Sequence, residues 1–457
     1  MGSQELLNQK PESAGHEAGL VRPTRVRYQV LAVASSVAVV AYLHRVGFSR
    51  ALPALRLTSA EDGWLLAAFL TAYGGFEMPC GVLGDRLGTR HLLTLLVLGS
   101  SLMTAAVGLV VLLPHVWLVP ILFLLLVRFL FGMFQAGGFP LLSRMMTDWM
   151  PSQERASAQG TIWMASRAGG LIAPLFIGWL LGLFADWKIP LVVVAAVGVL
   201  WCAGFWPWFR NRPEEMSAVN AVERRLIIAG RNARPLGHGH VPWAKMLRSR
   251  SVWGLCLMYG CAGFAANFYV TMLSSYLDKE RHLTGTQVSW LAALPFAPGM
   301  LACIAGGLFS DWMIRHSGNR KWGRRLNGVL SLVLGALGWL CINWVEGPVA
   351  LALVLCFIFF CNDLNMGPAW AACADIGERF AGTVGGAMNM IGAFAGAGGM
   401  VMTGYLFKWH QPQLVFVIYA CSFALGSLCW LLVDATKPLE PDHSAAESPI
   451  LPAEPEP

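Results

Sequence analysis

Of the chain's 457 residues, 56% are hydrophobic and only 13% charged, well short of the roughly 25% charge that a soluble domain carries. This composition excludes a soluble globule and leaves room for about twelve membrane crossings at ~20 apolar residues each. A net charge of +7 could suit a nucleic-acid partner, but its distribution along the chain points to membrane topology instead.

Apolar runs predict spans at 28–48, 64–83, 91–113, 118–142, 158–182, 189–209, 252–277, 287–309, 326–344, 348–372, 384–407 and 413–433. Residues 1–27 form a polar N-terminal tail without an apolar run, so no cleavable signal peptide is expected. Residues 28–209 then make a first bundle of six helices, 210–251 a polar, basic linker with room for one surface helix, and 252–433 a second six-helix bundle. The remainder, 434–457, is rich in Pro, Glu and Ala and is expected to be a disordered tail. Of the 33 Lys and Arg, 24 lie in the tails, the even-to-odd loops and the linker, six on the opposite side, and three inside spans. That bias predicts both termini in the cytoplasm. The eleven cysteines include no metal-type CxxC pair and read as small buried hydrophobes, so no metal is expected. There is no GxxxxGK[ST] motif and no clustered His, Asp or Ser set at either interface, so neither a nucleotide cofactor nor an enzyme is expected.

Between the second and third spans lies GVLGDRLGTR, in which Gly81, Gly84, Asp85, Arg86 and Gly88 crowd into a tight polar hinge. An echo, GGLFSDWMIR, brings Asp311 and Arg315 to the matching place 226 residues later. Glycines allow helix ends to approach and turn sharply, while an Asp near a helix end can cap amides or pair with an Arg. The repeat implies two halves of one architecture with a latch in each.

An ionisable side chain at the centre of a span costs about 2.5–3.5 kcal/mol and needs a partner or a water-filled cavity. Arg128 in RFLFGMFQAGGFP is such a residue; Arg45 in AYLHRVGF is too deep to reach the cytoplasmic surface but lies nearer the outer end of its span, so reaching the outer surface is the alternative to an interior role. Two cations converging from different spans suit an anion, because Arg forks two hydrogen bonds onto a carboxylate. Arg167 either joins that site or holds the cytoplasmic gate. Glu77 lies one turn beyond Tyr73, so both project from one face. Asp363 sits well inside the tenth span; for Glu77 and Asp363 alike, a structural ion pair competes with a functional role. Trp370 follows Gly367 and Pro368, which interrupt the tenth span.

Four passages together resemble the anion:cation symporter family of the major facilitator superfamily: YLHR, AYGGFEMPCGVLGDRLGTR, RFLFGMFQAGGFPLLSRMMTDWMPSQERASAQG and GPAWAACADIGERFAGTVGGAMNMIGAFAG. The resemblance covers nearly the whole chain. It implies an all-α membrane protein of twelve transmembrane helices in two pseudo-symmetric six-helix bundles, the major facilitator fold. It also implies substrate contacts at Arg45, Tyr73, Arg128 and Asn389, with Trp370 flanking the cavity. Bacterial sugar-acid symporters of that family commonly place an Asp before the span-one Arg and a Glu in span four; here those positions hold His44 and Gln135. The coupling candidates are therefore His44, Glu77 and Asp363, with a proton or sodium as the ion.

The expected protein is a monomeric secondary transporter in the inner (plasma) membrane, moving a small organic anion by alternating access. A sugar acid is the first expectation. A non-sugar carboxylate or sulfonate, or a non-transporting sensor on the same scaffold, is the alternative.

Overall fold

The computed structural model describes residues 22–440, apart from 56, 58, 115–117, 185, 229–240, 272, 274–275, 278–280, 282 and 284–285. Most of the two expected tails, 1–21 and 441–457, lies outside the described residues.

Long apolar runs form helices here because lipid offers a backbone no other hydrogen-bond partners. The first half contains α1 (Val26–Leu55), α2 (Ser59–Leu87), α3 (Thr89–Ala106), α4 (Leu118–Ala136), α5 (Gly138–Trp149), α6 (Arg155–Leu183) and α7 (Lys188–Trp208). In the linker lie two short helices, α8 (Ala221–Ile228) and α9 (Trp243–Arg248). The second half contains α10 (Arg250–Thr271), α11 (Thr286–Ala293), α12 (Phe296–Ser317), α13 (Arg320–Cys341), α14 (Pro348–Leu364), α15 (Met366–Gly377), α16 (Ala381–Lys408) and α17 (Pro412–Trp430). Among the described residues, eleven helical stretches are long and apolar enough to cross a membrane. One of them, Pro348–Lys408, is divided at Glu378, whose φ is +44°, into two crossings, so the expected twelve are present. Leu66, Leu126, Leu200, Leu301 and Leu353 are all more than half exposed on the outside of the bundle, a surface that lipid would cover.

Two predicted loops are shorter than expected. α2 and α12 continue past their apolar runs to Leu87 and Ser317, so Asp85 and Asp311 stand on helices rather than in loops. The first hinge shrinks to Gly88, with φ +84°. The second is Gly318 and Asn319: Gly318 closes α12 at φ +65°, and the Asn319 side chain accepts the Trp322 N–H at 3.2 Å to start α13.

Within the halves α1 packs on α6, α2 on α4, α3 on α7, α10 on α16 and α17, and α13 on α17. The halves meet along a seam where α2 crosses α16 and α6 crosses α12.

Both ends of the linker are tied down. Glu223 of α8 is wholly buried and accepts the Thr24 hydroxyl, the amides of Val26 (3.0 Å) and Arg27 (3.2 Å), and Arg27 Nη1 (3.2 Å). It thus caps α1 from a distant segment, and Arg27 Nε reaches on to Glu154 at 3.1 Å. At the other end Lys245 pairs with Glu440 at 3.6 Å, and Glu440 also pairs with Arg379. Residues 434–440, expected as the start of a disordered tail, are therefore docked. Ala435 and Leu439 supply apolar anchors, and the Leu439 amide donates to the Ile376 carbonyl at 3.0 Å.

Burial alone would raise the Glu223 carboxyl, but its hydrogen bonds from Thr24, Arg27 and Val26 hold it below the ordinary range. A depressed carboxyl stabilises fully above its unfolded value of about 4.3 and loses that contribution as pH falls through the lower folded value. Amide-exchange protection of 221–228, corrected for intrinsic rates, should therefore fall as pH drops from about 5 to about 3. Glu223→Gln should lack it at neutral pH. Protection unchanged across that range would remove Glu223 from the role.

Candidate functional site

α1 and α4 bring Arg45 and Arg128 to one ring, Phe69 of α2. Their guanidinium carbons lie 5.7 and 4.8 Å from its centroid, so at most the sum of those distances separates them. Arg45 Nε donates to Gln135 Oε1 at 3.1 Å, and its charge faces the rings of Tyr73 at 4.7 Å and Tyr42 at 5.6 Å. Arg128 is 6% exposed and caged by Phe48 at 3.9 Å, Phe69 and Phe131 at 5.1 Å. Its Nε is buried without a hydrogen-bond partner, and among the described residues Arg128 makes no ion pair. Desolvated cation–π contacts of this kind contribute about 2 kcal/mol, less than the several kcal/mol that burying the charge costs. An anion would supply the difference.

Below this pair the seam is polar. Glu77 Oε1 accepts a hydrogen bond from Asn389 Nδ2 across the α2–α16 crossing. Arg167 forks onto Asp363 across the other crossing, with Nε at 2.8 Å from Oδ2 and Nη2 at 2.7 Å from Oδ1. Both members of that pair are spent on each other, which favours the gate role for Arg167 and the ion-pair role for Asp363. Between the two crossings lies an aromatic floor. Trp163 stacks on Phe139 with centroids 4.3 Å apart, Trp370 lies 5.9 Å from Trp163, and Trp370 Nε1 donates to the Tyr259 hydroxyl at 3.3 Å.

His44 does not join this group. Its imidazole packs against α3, with Nδ1 3.3 Å from Ser100 Oγ and Nε2 3.4 Å from Ser101 Oγ, beside Gly198 of α7. Neighbours in a helix point about 100° apart, and that rotation sends His44 toward α3 and α7 while Arg45 faces Gln135 of α4 and Phe69 and Tyr73 of α2. A cavity of about 20 Å³ behind it touches both His44 and Gln135.

At one end of the seam each latch aspartate reaches into the opposite half. Asp85 accepts the amides of Gly382 (3.0 Å) and Thr383 (2.7 Å) and the Thr383 hydroxyl (2.6 Å) at the start of α16. Asp311 accepts the amides of Ala156 (3.3 Å) and Ser157 (2.7 Å) and the Ser157 hydroxyl (2.6 Å) at the start of α6. The offset of 226 relates donors as well as acceptors. Free amides and the positive pole of a helix start suit a carboxylate. The helices also touch backbone to backbone: a Cβ on Gly81 would stand 2.0 Å from the Gly382 oxygen, and one on Gly307 would stand 2.3 Å from the Ala156 oxygen. Gly84 is closed by Leu141, 2.1 Å from where its Cβ would be. With both latches made, this end is shut.

The arginines expected beside the aspartates are not their partners. Arg86 and Arg315 are exposed, and Arg315 instead borders a cleft of about 250 Å³ with Tyr28, Glu154 and Ser157. Arg144 of α5 approaches Asp85 at 4.0 Å, and Arg324 of α13 reaches Asp311 at 2.7 Å. Arg324 also meets Asp375 at 3.2 Å and the Ser152 carbonyl at 2.9 Å, while Arg155 meets Asp375 at 2.7 Å across the seam.

A sequence profile described as Major Facilitator Superfamily matches residues 30–400. The chain belongs to the major facilitator superfamily. It is 28% identical to the probable sulfoacetate transporter SauU of Cupriavidus necator, over 93% of this chain and 97% of that protein. It is 25% identical to the probable L-galactonate transporter of Escherichia coli K12, over 90% of each. The proton:xylose symporter XylE shares its fold with a TM-score of 0.71 at 12% identity, over 89% of this chain and 95% of XylE.

Superfamily membership accounts for the repeated latches and the two-bundle plan. It leaves several residues that sequence reasoning missed. Arg144, Arg155, Arg324 and Asp375 lie in the polar segments around the latches, where a charge beside every helix end is unremarkable in composition. The spacing of Arg144 and Asp148, joined at 3.1 Å one turn apart, was a readable signal. For Phe139, Trp163 and Tyr259 an apolar helix gives none.

Proposed function

We propose that this chain is a secondary active transporter that carries small organic anions, sugar acids of the hexuronate or aldonate type first among them, by alternating access of its two halves. The observation carrying this reading is the Arg45–Arg128 pair around Phe69, in which Arg128 is buried in aromatic rings without an ion-pair partner among the described residues. Its similarity to the probable sulfoacetate transporter and the probable L-galactonate transporter supports an anionic cargo. Arg45, Arg128, Tyr73 and Asn389 contact the substrate above the floor at Trp370. The latches of Gly81, Gly84, Asp85, Gly88 and Asp311, with the Arg167–Asp363 pair, close the seam on the cytoplasmic side. Both termini face that side, the membrane is the inner (plasma) membrane, and one chain is the working unit. A proton or sodium ion is co-transported.

A thermal-shift screen of the purified protein tests the cargo class. A ligand at 100 times its Kd stabilises by ~2.7 kcal/mol, so galactonate, glucuronate or a related acid should raise the melting temperature by several degrees. The neutral parent sugars should not. Equal shifts from acids and neutral sugars would sink the anion reading.

A further inference from the structure

Most of the carboxylates buried at the seam meet an arginine. Asp85 has Arg144, Asp311 has Arg324, Asp363 has Arg167 and Asp375 has Arg155 and Arg324. Glu77 meets an amide and the Tyr73 hydroxyl instead. It is wholly buried, its Oε1 takes the Asn389 side chain, and its Oε2 has no hydrogen-bond partner. An ionised carboxylate left so costs several kcal/mol unless a cation faces it. Arg45 of α1 is within electrostatic reach, with Tyr73 beside both. Tyr259 of α10 and, on its own helix, Tyr73 and Cys80 are the titratable groups around it. Charges on other helices packed against α2 are engaged elsewhere, Arg128 of α4 in its ring cage and Arg144 of α5 with Asp85 and Asp148.

Arg45 is also a guanidinium that the cargo needs. Two anions, Glu77 and the substrate, then compete for one cation, and the competition ends if Glu77 becomes neutral. We propose that Glu77 is the residue that takes up the co-transported proton, and that its neutralisation hands Arg45 to the substrate. This rests on the organic-anion reading above. A proton from the open side adds to Oε2, the carboxylate becomes a carboxylic acid, and the substrate's carboxylate or sulfonate replaces it as counter-charge to Arg45. When the opposite side opens, the substrate leaves and the proton follows it, returning the carboxylate to Arg45. Because Asn389 belongs to the other half, the protonation state of Glu77 is felt on both sides of the seam. His44 lacks that connection, being packed between α1, α3 and α7.

The test uses full-length protein in liposomes, with labelled L-galactonate, D-glucarate and sulfoacetate as probes. Two assays are run: accumulation under an imposed inward proton gradient, and exchange between equal pools without a gradient. Wild type should do both, and its affinity for the exchanged probe should fall by up to tenfold per pH unit above the titration of Glu77. Glu77→Gln should exchange but not accumulate, with an affinity that no longer varies with pH. Glu77→Asp, which retains a carboxyl, should recover part of the gradient response. Accumulation that persists in Glu77→Gln, or that disappears in His44→Gln while Glu77→Gln retains it, overturns the proposal. So does a wild type that exchanges a probe yet ignores the gradient. A wild type that exchanges none of the probes overturns the organic-anion reading itself, and the proton role with it.

Discussion

Arg324→Met should unlatch the closed end of the seam. Arg324 is wholly buried and bridges Asp311, Asp375 and the carbonyl of Ser152 in the other half. Its loss leaves Asp375 with Arg155 alone and Asp311 with only the Ala156 and Ser157 donors, in a space with little water, and breaking such a buried pair from one side costs up to ~3–5 kcal/mol. That corresponds to a shift of roughly a hundred- to a few-thousand-fold in the equilibrium between closed and open seams. Spin labels at Leu87 and Trp322, exposed on opposite halves at this end, should report a second, longer distance population in the variant. Arg324→Lys should recover only part of the closed population, since an ammonium cannot hold both aspartates with a planar fork. A variant whose distances match wild type would reduce the network to packing.

Arg45→Ala and Arg128→Ala should each weaken binding of the anion by about ten- to a hundredfold, because one charge-assisted hydrogen-bond set is worth ~1.5–3 kcal/mol. Lysine should rescue poorly at Arg128. Its ammonium is more strongly hydrated than a guanidinium and stacks less well among Phe48, Phe69 and Phe131. Titrations of each variant with the acid found in the thermal screen give the affinities directly. Both variants binding as wild type does would remove the clamp.

The helices were legible because lipid imposes one solution on an apolar run, and the deep arginines were legible because a charge there is expensive. The latch aspartates could be found through their repeat. Their partners could not, since the donors to Asp85 come from residues 297 and 298 positions away and those to Asp311 from 155 and 154. Arg167 and Asp363 lie 196 positions apart, so the sequence alone left Arg167 evenly between the anion site and the gate. His44 shows a different limit. Adjacency to Arg45 suggested a shared site, yet on a helix adjacency separates side chains rather than joining them. The hinge boundaries were misplaced because hydropathy marks where lipid ends, whereas α2 and α12 run on into water with polar turns of their own.

The contacts of Gly81 with Gly382 and of Gly307 with Ala156 give the closed seam a property that its ion pairs do not share. Hydrogen bonds between long side chains behave as springs, softened by salt and able to stretch through intervening water. Two backbones already in contact have nothing left to compress, and they act as a mechanical end-stop. The closed geometry is therefore set by the chain itself, whatever cargo is aboard. In the label measurements its peak should keep its position and narrow width in Arg324→Met even as its share of the molecules falls.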